Sequence, residues 1–218
     1  MSYTISPPEE TALQAHLQKL RTQLHEDPEL SWQEHRTTRL VRRELEALCL
    51  EAVPLGLPTG TAALLRGALP GPTVGLRADL DALPITERTG AEFSSRVPGV
   101  MHACGHDIHM AALLGAARLL AARREQLAGN VLFLFQPAEE AATGAMRVLE
   151  QGLFRRVPVT GMLALHVWPG LAQGQLGIRS GAILSAVDSF EITVTGRGGH
   201  GSAPERACNP IPAGATLA

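Results

Sequence analysis

Neither sign of charge is in excess in this chain. Its 19 lysines and arginines stand against 21 aspartates and glutamates, a formal net charge of −2 over 218 residues. A nucleic-acid binder needs a basic face, and the arginines between Arg39 and Arg43 read instead as a solvated helix surface. Cysteine is scarce. Cys49, Cys104 and Cys208 are odd in number and far apart, which argues against a disulfide framework and fits a reducing cytoplasm. Long apolar runs are missing too: the one from Ala111 to Ala122 is interrupted by Arg118 and falls short of the roughly 20 residues a membrane span needs. Met1 to Pro8 lacks the basic and apolar regions of a secretory leader. These shortages lead us to expect a soluble, cytoplasmic protein with no nucleic-acid and no membrane partner.

What the chain does have is a concentration of ligand chemistry. Met101 to Met110 contains one thiol, three imidazoles and a carboxylate. Cys104 and His106 flank a glycine, so in a turning backbone both side chains can face a common ion. A proline-free run rich in alanine and leucine follows, placing the pair at a helix N-terminus, where partial positive charge, added to that of a metal, would favour the thiolate. A lone Cys-x-His is more simply a buried cysteine beside a loop histidine, so the case depends on the rest of the chain.

Leucines at 13, 17, 20 and 24 predict an amphipathic helix from about Glu9 to His25. Ser31 and Glu34 read as a capping box for a helix running from Trp32 to about Leu48. Strands are expected at Thr59–Leu65, at Thr73–Leu76 after a Pro70-Gly71-Pro72 turn, at Val131–Phe135 and at Gly161–Leu165, the last three buried. Strands alternating with helices imply an α/β fold with a mostly parallel sheet and helices on both faces. Such sheets bind ligands at the carboxyl ends of their strands. Asp79 and Asp81, Glu139 and Glu140, and His166 all fall at such ends, and a loop carrying Cys104 and His106 could reach them. That convergence makes a metal site the leading reading. From Ser189 to Thr195 the pattern alternates like a half-exposed strand, which suggests a second domain starting near residue 185. Gly196-Arg197-Gly198-Gly199-His200-Gly201 matches a dinucleotide fingerprint in form only, because Ser202-Ala203-Pro204 stands where a helix should begin.

The segments HEDPELSWQEHRTT (25–38), LRADLDALPI (76–85), GVMHACGHDIHMAALLGAA (99–117), LFLFQPAEE (132–140), ALHVWP (164–169) and VTGRGGHGSAP (194–204) carry a specific resemblance. In this order they resemble the aminoacylase/carboxypeptidase family of dinuclear metallohydrolases, metallopeptidase family twenty. Within it they are most like the amidohydrolase branch that includes hippurate hydrolase, N-acyl-amino-acid amidohydrolases and auxin-conjugate hydrolases. The resemblance implies a zinc-exopeptidase-like catalytic domain over residues 1–184 and the start of an α+β lid or dimerisation domain over 185–218. It implies two divalent metal ions (Zn, Mn, Ni or Co) held by Cys104, His106, Glu140 and His166, with Asp79 supporting the ligands from behind. Glu139 would be the catalytic base, an assignment that spacing alone does not make. His200 would help hold the carbonyl oxygen of a small N-acyl amino acid, hippurate-like, across a subunit interface. Relatives continue well beyond residue 218 and supply one more metal-binding histidine, so a C-terminally truncated chain is expected, with a dimer or tetramer for the full-length form. The competing reading is an inactive remnant that binds metal or a partner without turnover.

Overall fold

The structure is a computed structural model, and it describes residues 6–217 apart from 185, 187 and 189. The chain divides into two units, Met1–Pro169 and Gly170–Ala218. The boundary expected at residue 185 falls inside the second of these.

In the first unit, helices α1 (Pro7–Glu26) and α2 (His35–Ala47) precede strands β1 (Glu51–Val53), β2 (Thr61–Arg66) and β3 (Leu69–Asp79). Then come α3 (His106–Ala121), β4 (Ala128–Gln136), α4 (Gly144–Glu150), α5 (Leu153–Arg156) and β5 (Gly161–Ala164). The five strands form one sheet in the order β1-β2-β4-β3-β5. The α/β class and the helices on both faces are as expected, but the sheet is mixed. β3 runs parallel to β4 and to β5, whereas β2 is antiparallel to β1 and to β4. The connection between β1 and β2 is too short for the crossover that a parallel pair requires, so the chain reverses there.

β4 shows why its sequence is an unbroken apolar run. Val131, Phe133 and Phe135 pack with Leu20, Leu24, Leu40, Val41 and Leu114 from α1, α2 and α3. Leu132 and Leu134 face the other way, against Val148 and Leu153 of α4 and α5. With Leu132, Phe133 and Phe135 all 0% exposed, each such side chain contributes about 1.5–3 kcal/mol of burial. Pro70 and Pro72 make no turn. They sit in a bulge where the β3 register shifts between Leu69 and Thr73, which spares the ladder their missing N–H groups. β5 is exposed, not buried, because it pairs only with β3 at the rim of the sheet.

The expected capping box does not form. Trp32 has φ +65, outside helical conformation, and α2 begins at His35. Ser31 Oγ instead donates to Asp81 Oδ2 at 2.7 Å, and the Glu34 side chain turns into the protein. Tertiary partners outcompete the local ones.

α1 is pinned to the start of α3 by a buried ionic knot. Asp107 Oδ2 accepts from Arg21 Nε at 2.8 Å and lies 2.8 Å from His25 Nδ1. Glu87 also reaches His25, at 3.3 Å. The Asp107 contact raises the His25 pKa against the opposing effect of burial. Burial would push Asp107 up, but His25, His102 and Arg21 outweigh it and hold its carboxyl low. The His25 contribution is therefore complete below its ordinary value of 6.5 and fades as pH rises through the raised folded value. His25→Gln should cost about 2 kcal/mol near pH 5 and progressively less toward pH 9. Urea unfolding of cation-free protein across that range measures it.

The second unit contains a short turn of 3-10 helix at Pro204–Arg206 and α6 (Pro210–Leu217). Arg197 and Cys208 exchange backbone hydrogen bonds of 2.9 and 2.8 Å. Residues 190–195 form no strand, and residue 189 lies outside the described residues. The alternating pattern finds no neighbouring strand to pair with among the described residues of this unit.

Candidate metal centre

Three strands of one direction deliver acid, base and ligand chemistry to the same edge of the sheet. β3 ends at Asp79, with Asp81 two residues on. β4 ends at Gln136, just before Glu139 and Glu140, and β5 ends two residues before His166. Opposite them α3 starts at His106, capped by Gly105 with φ +81. A Cβ at Gly105 would lie 2.5 Å from Val167 Cγ2, so both the left-handed turn and the close approach demand glycine.

His106 is the hub. Its ring is 1% exposed, and its Nδ1 donates to the Asp81 carbonyl oxygen at 2.8 Å. In the neutral ring that bond leaves a lone pair on Nε2, which is buried and makes no hydrogen bond. Nε2 faces Asp79 Oδ2 at 3.6 Å, Glu140 Oε1 at 3.7 Å and Glu139 Oε2 at 3.9 Å. Glu140 Oε1 is likewise buried without a hydrogen bond. On the other side, Cys104 Sγ stands 3.4 Å from His166 Nε2. His166 Nδ1 donates to the Val167 carbonyl at 2.7 Å, which again turns Nε2 inward. The donor atoms of Cys104, His106 and His166 lie within 4.8 Å of one another, as do those of His106, Glu139 and Glu140.

Two residues not assigned from the sequence hold this arrangement. Asp81 accepts the backbone N–H groups of Glu139 and Glu140, both at 2.9 Å. His109, one helical turn from His106, donates from Nδ1 to Asp79 Oδ1 at 2.7 Å and accepts the Val167 N–H on Nε2 at 3.0 Å. Both its nitrogens are used, so it braces rather than ligates. The i, i+3 spacing of His106 and His109 was the available signal. Asp79 faces the Nε2 of His106, holds His109 and also accepts from Arg77 at 2.8 Å. Burial would raise the Asp79 pKa, yet the His109 hydrogen bond and the charges of His106 and Arg77 hold it far below the usual carboxylate range.

The field of the cluster is negative. Burial and the neighbouring Glu139 raise the pKa of Glu140 despite His106. Burial, Glu140, Glu139 and Asp79 push the Cys104 thiol up to about 12. Without a metal, burial first and then the carboxylates outweigh the helix N-terminus at Cys104. Two orphaned polar atoms 3.7 Å apart, with sulfur, nitrogen and oxygen donors converging under uncompensated negative charge, fit a divalent cation well.

His200 belongs to the second unit and is exposed. The Ser202 N–H donates to its Nδ1 at 3.3 Å, and Ser202 Oγ lies 2.8 Å from the same nitrogen. The ring proton is thereby assigned to Nε2, which is left as a donor.

Comparison with known proteins agrees with this geometry. The family described as Peptidase family M20/M25/M40 matches residues 75–210. The N-acetylcysteine deacetylase of Bacillus subtilis is 45% identical over 203 residues, covering 93% of this chain and 53% of its own length. Thermostable carboxypeptidase 1 of Saccharolobus solfataricus is 44% identical over 196 residues, covering 88% and 49%. Among solved structures, the Bacillus subtilis YXEP protein, described as a dinuclear metal binding peptidase from the M20 family, superposes with a TM-score of 0.72. It is 47% identical, over 74% of this chain and 45% of that one. The chain thus spans about half the length of the curated relatives it matches. With the match covering most of the chain and the donor residues gathered at one sheet edge, this protein belongs to peptidase family M20/M25/M40.

Proposed function

We propose that the chain carries the cation cage and the base of a metal-dependent amidohydrolase acting on N-acyl amino acids. The observation that carries this is the unpartnered Nε2 of His106, buried and turned toward three carboxylates. Cys104, His106, Glu140 and His166 would hold two divalent ions. Such ions supply Lewis-acid polarisation of an amide carbonyl and lower the pKa of water toward neutrality.

The protein's own groups do the rest. Glu139, with 40% of its side chain exposed, is the more accessible of the two glutamates and can meet solvent and substrate. It would take a proton from the attacking water and return it to the leaving amine. His200 would donate from Nε2 to the carbonyl oxygen as that atom gains charge. Residues 185–218 are read as the beginning of the lid or dimerisation domain that brings this donor to the site of a partner subunit. Names of relatives such as N-acyl-L-amino acid amidohydrolase and N-acetylcysteine deacetylase support acyl amino acids as substrates.

Bound metal measured per chain, together with hydrolysis of N-acetylcysteine and hippurate, tests the proposal. About two ions with turnover supports it, and no bound metal refutes it. Metal without turnover would favour the remnant. His200→Ala should lower turnover by about 100-fold with metal content unchanged, as steady-state kinetics and metal analysis would show.

A further inference from the structure

We propose that Glu34 is a positioning residue for the site, holding the turn that aims Glu139 and Glu140 at His106. The inference rests on reading the site as a cation cage. Glu34 is 0% exposed, and its Oε1 accepts the Ala138 N–H at 2.8 Å across 104 residues of sequence. It stands at the N-cap of α2, where a carboxylate would ordinarily bond the helix's own amides, yet it makes no such bond. Burying a carboxylate is costly, and here burial raises its pKa against the opposing contacts with Thr59, its own amide and Ala138. The side chain caps none of the α2 amides, and its hydrogen bond to Ala138 reaches beyond the helix.

What that bond holds is the 138–140 turn. Ala138 is fully buried with φ +51, a conformation that non-glycine residues seldom hold unaided. Its amide goes to Glu34, and the next two amides go to Asp81. Three successive N–H groups are thus anchored by two buried carboxylates. The same loop contributes Ser31, which donates to Asp81, and Trp32, whose Nε1 donates to Thr143 Oγ1 at 3.1 Å. On the far side Gly144 leaves no room: a Cβ there would lie 1.7 Å from the Pro137 carbonyl oxygen. The turn cannot shift away from its anchors without losing the direction of both glutamates.

Glu34→Gln keeps an acceptor for Ala138, whereas Glu34→Met fills similar volume without one. The measurements are amide exchange at Ala138 relative to Phe133, and cobalt(II) titration read by affinity and absorption spectrum. Glu34→Met should speed exchange at Ala138 by about tenfold or more. It should weaken cobalt binding by about 10- to 100-fold with an altered spectrum. Glu34→Gln should stay within about threefold of the parent in both. Unchanged exchange in Glu34→Met, faster exchange with unchanged cobalt affinity and spectrum, or equal damage from Gln and Met would each overturn the inference. Failure of the parent chain to bind cobalt would instead refute the cation cage, and the exchange result would still judge Glu34.

Discussion

Glu139→Gln should reduce hydrolysis of N-acyl amino acids by about 10²- to 10⁴-fold, the range that a positioned proton acceptor supplies, while bound metal stays at the parent level. Glutamine preserves size and leaves the Glu139 N–H to Asp81 intact, so the turn keeps its shape. What disappears is the ability to take a proton. Glu139 and Glu140 are neighbours in sequence but not in environment. Glu140 Oε1 is sealed in against His106, whereas Glu139 keeps 40% of its side chain open. Glu140 should consequently behave as a ligand, and Glu140→Gln should release metal where Glu139→Gln does not. Turnover within a few-fold of the parent in Glu139→Gln, or metal loss in that variant, would reverse the two assignments.

Cys104→Ala should weaken cation binding by some hundreds-fold. Apparent binding of about 10–16 kcal/mol to a four-donor site is about 2.5–4 kcal/mol per donor, or roughly 70- to 900-fold. The change also removes a proton from the balance. With its thiol pushed up to about 12, Cys104 is protonated in cation-free protein, so loading expels that proton and affinity rises with pH. Calorimetry of cobalt binding in buffers of different ionisation enthalpy should find about one proton fewer released by Cys104→Ala. Equal proton release by the two proteins would mean that the sulfur is not a donor.

The parts legible in the sequence were those set by local pattern. The apolar run at 131–135 announced a strand covered on both faces, and Cys104-Gly105-His106 before an alanine-rich helix announced a thiol and an imidazole brought together at a helix start. Placing Glu139, Glu140 and His166 beside them needed only the rule that parallel strands present their carboxyl ends together. Errors arose where a distant partner decided the outcome. Ser31 and Glu34 match a capping box perfectly well as a string, but Asp81 and Ala138 compete for the same side chains and win. Gly161 to Leu165 has the composition of an interior strand and lies at the rim, because strand order is not written in any one strand. The bracing by His109, and the bonds by which Asp81 holds the Glu139 and Glu140 amides, escaped notice for a similar reason: each involves residues brought near only by the finished sheet.

Val167 resting on Gly105 ties together two stretches of chain that arrive from opposite sides of the cage. There is little slack at that contact, and a single methyl group added at position 105 would push against Val167, the neighbour of His166. If the proposed cations bind here, so close a fit would sort them by radius and preferred geometry more than by strength of attraction.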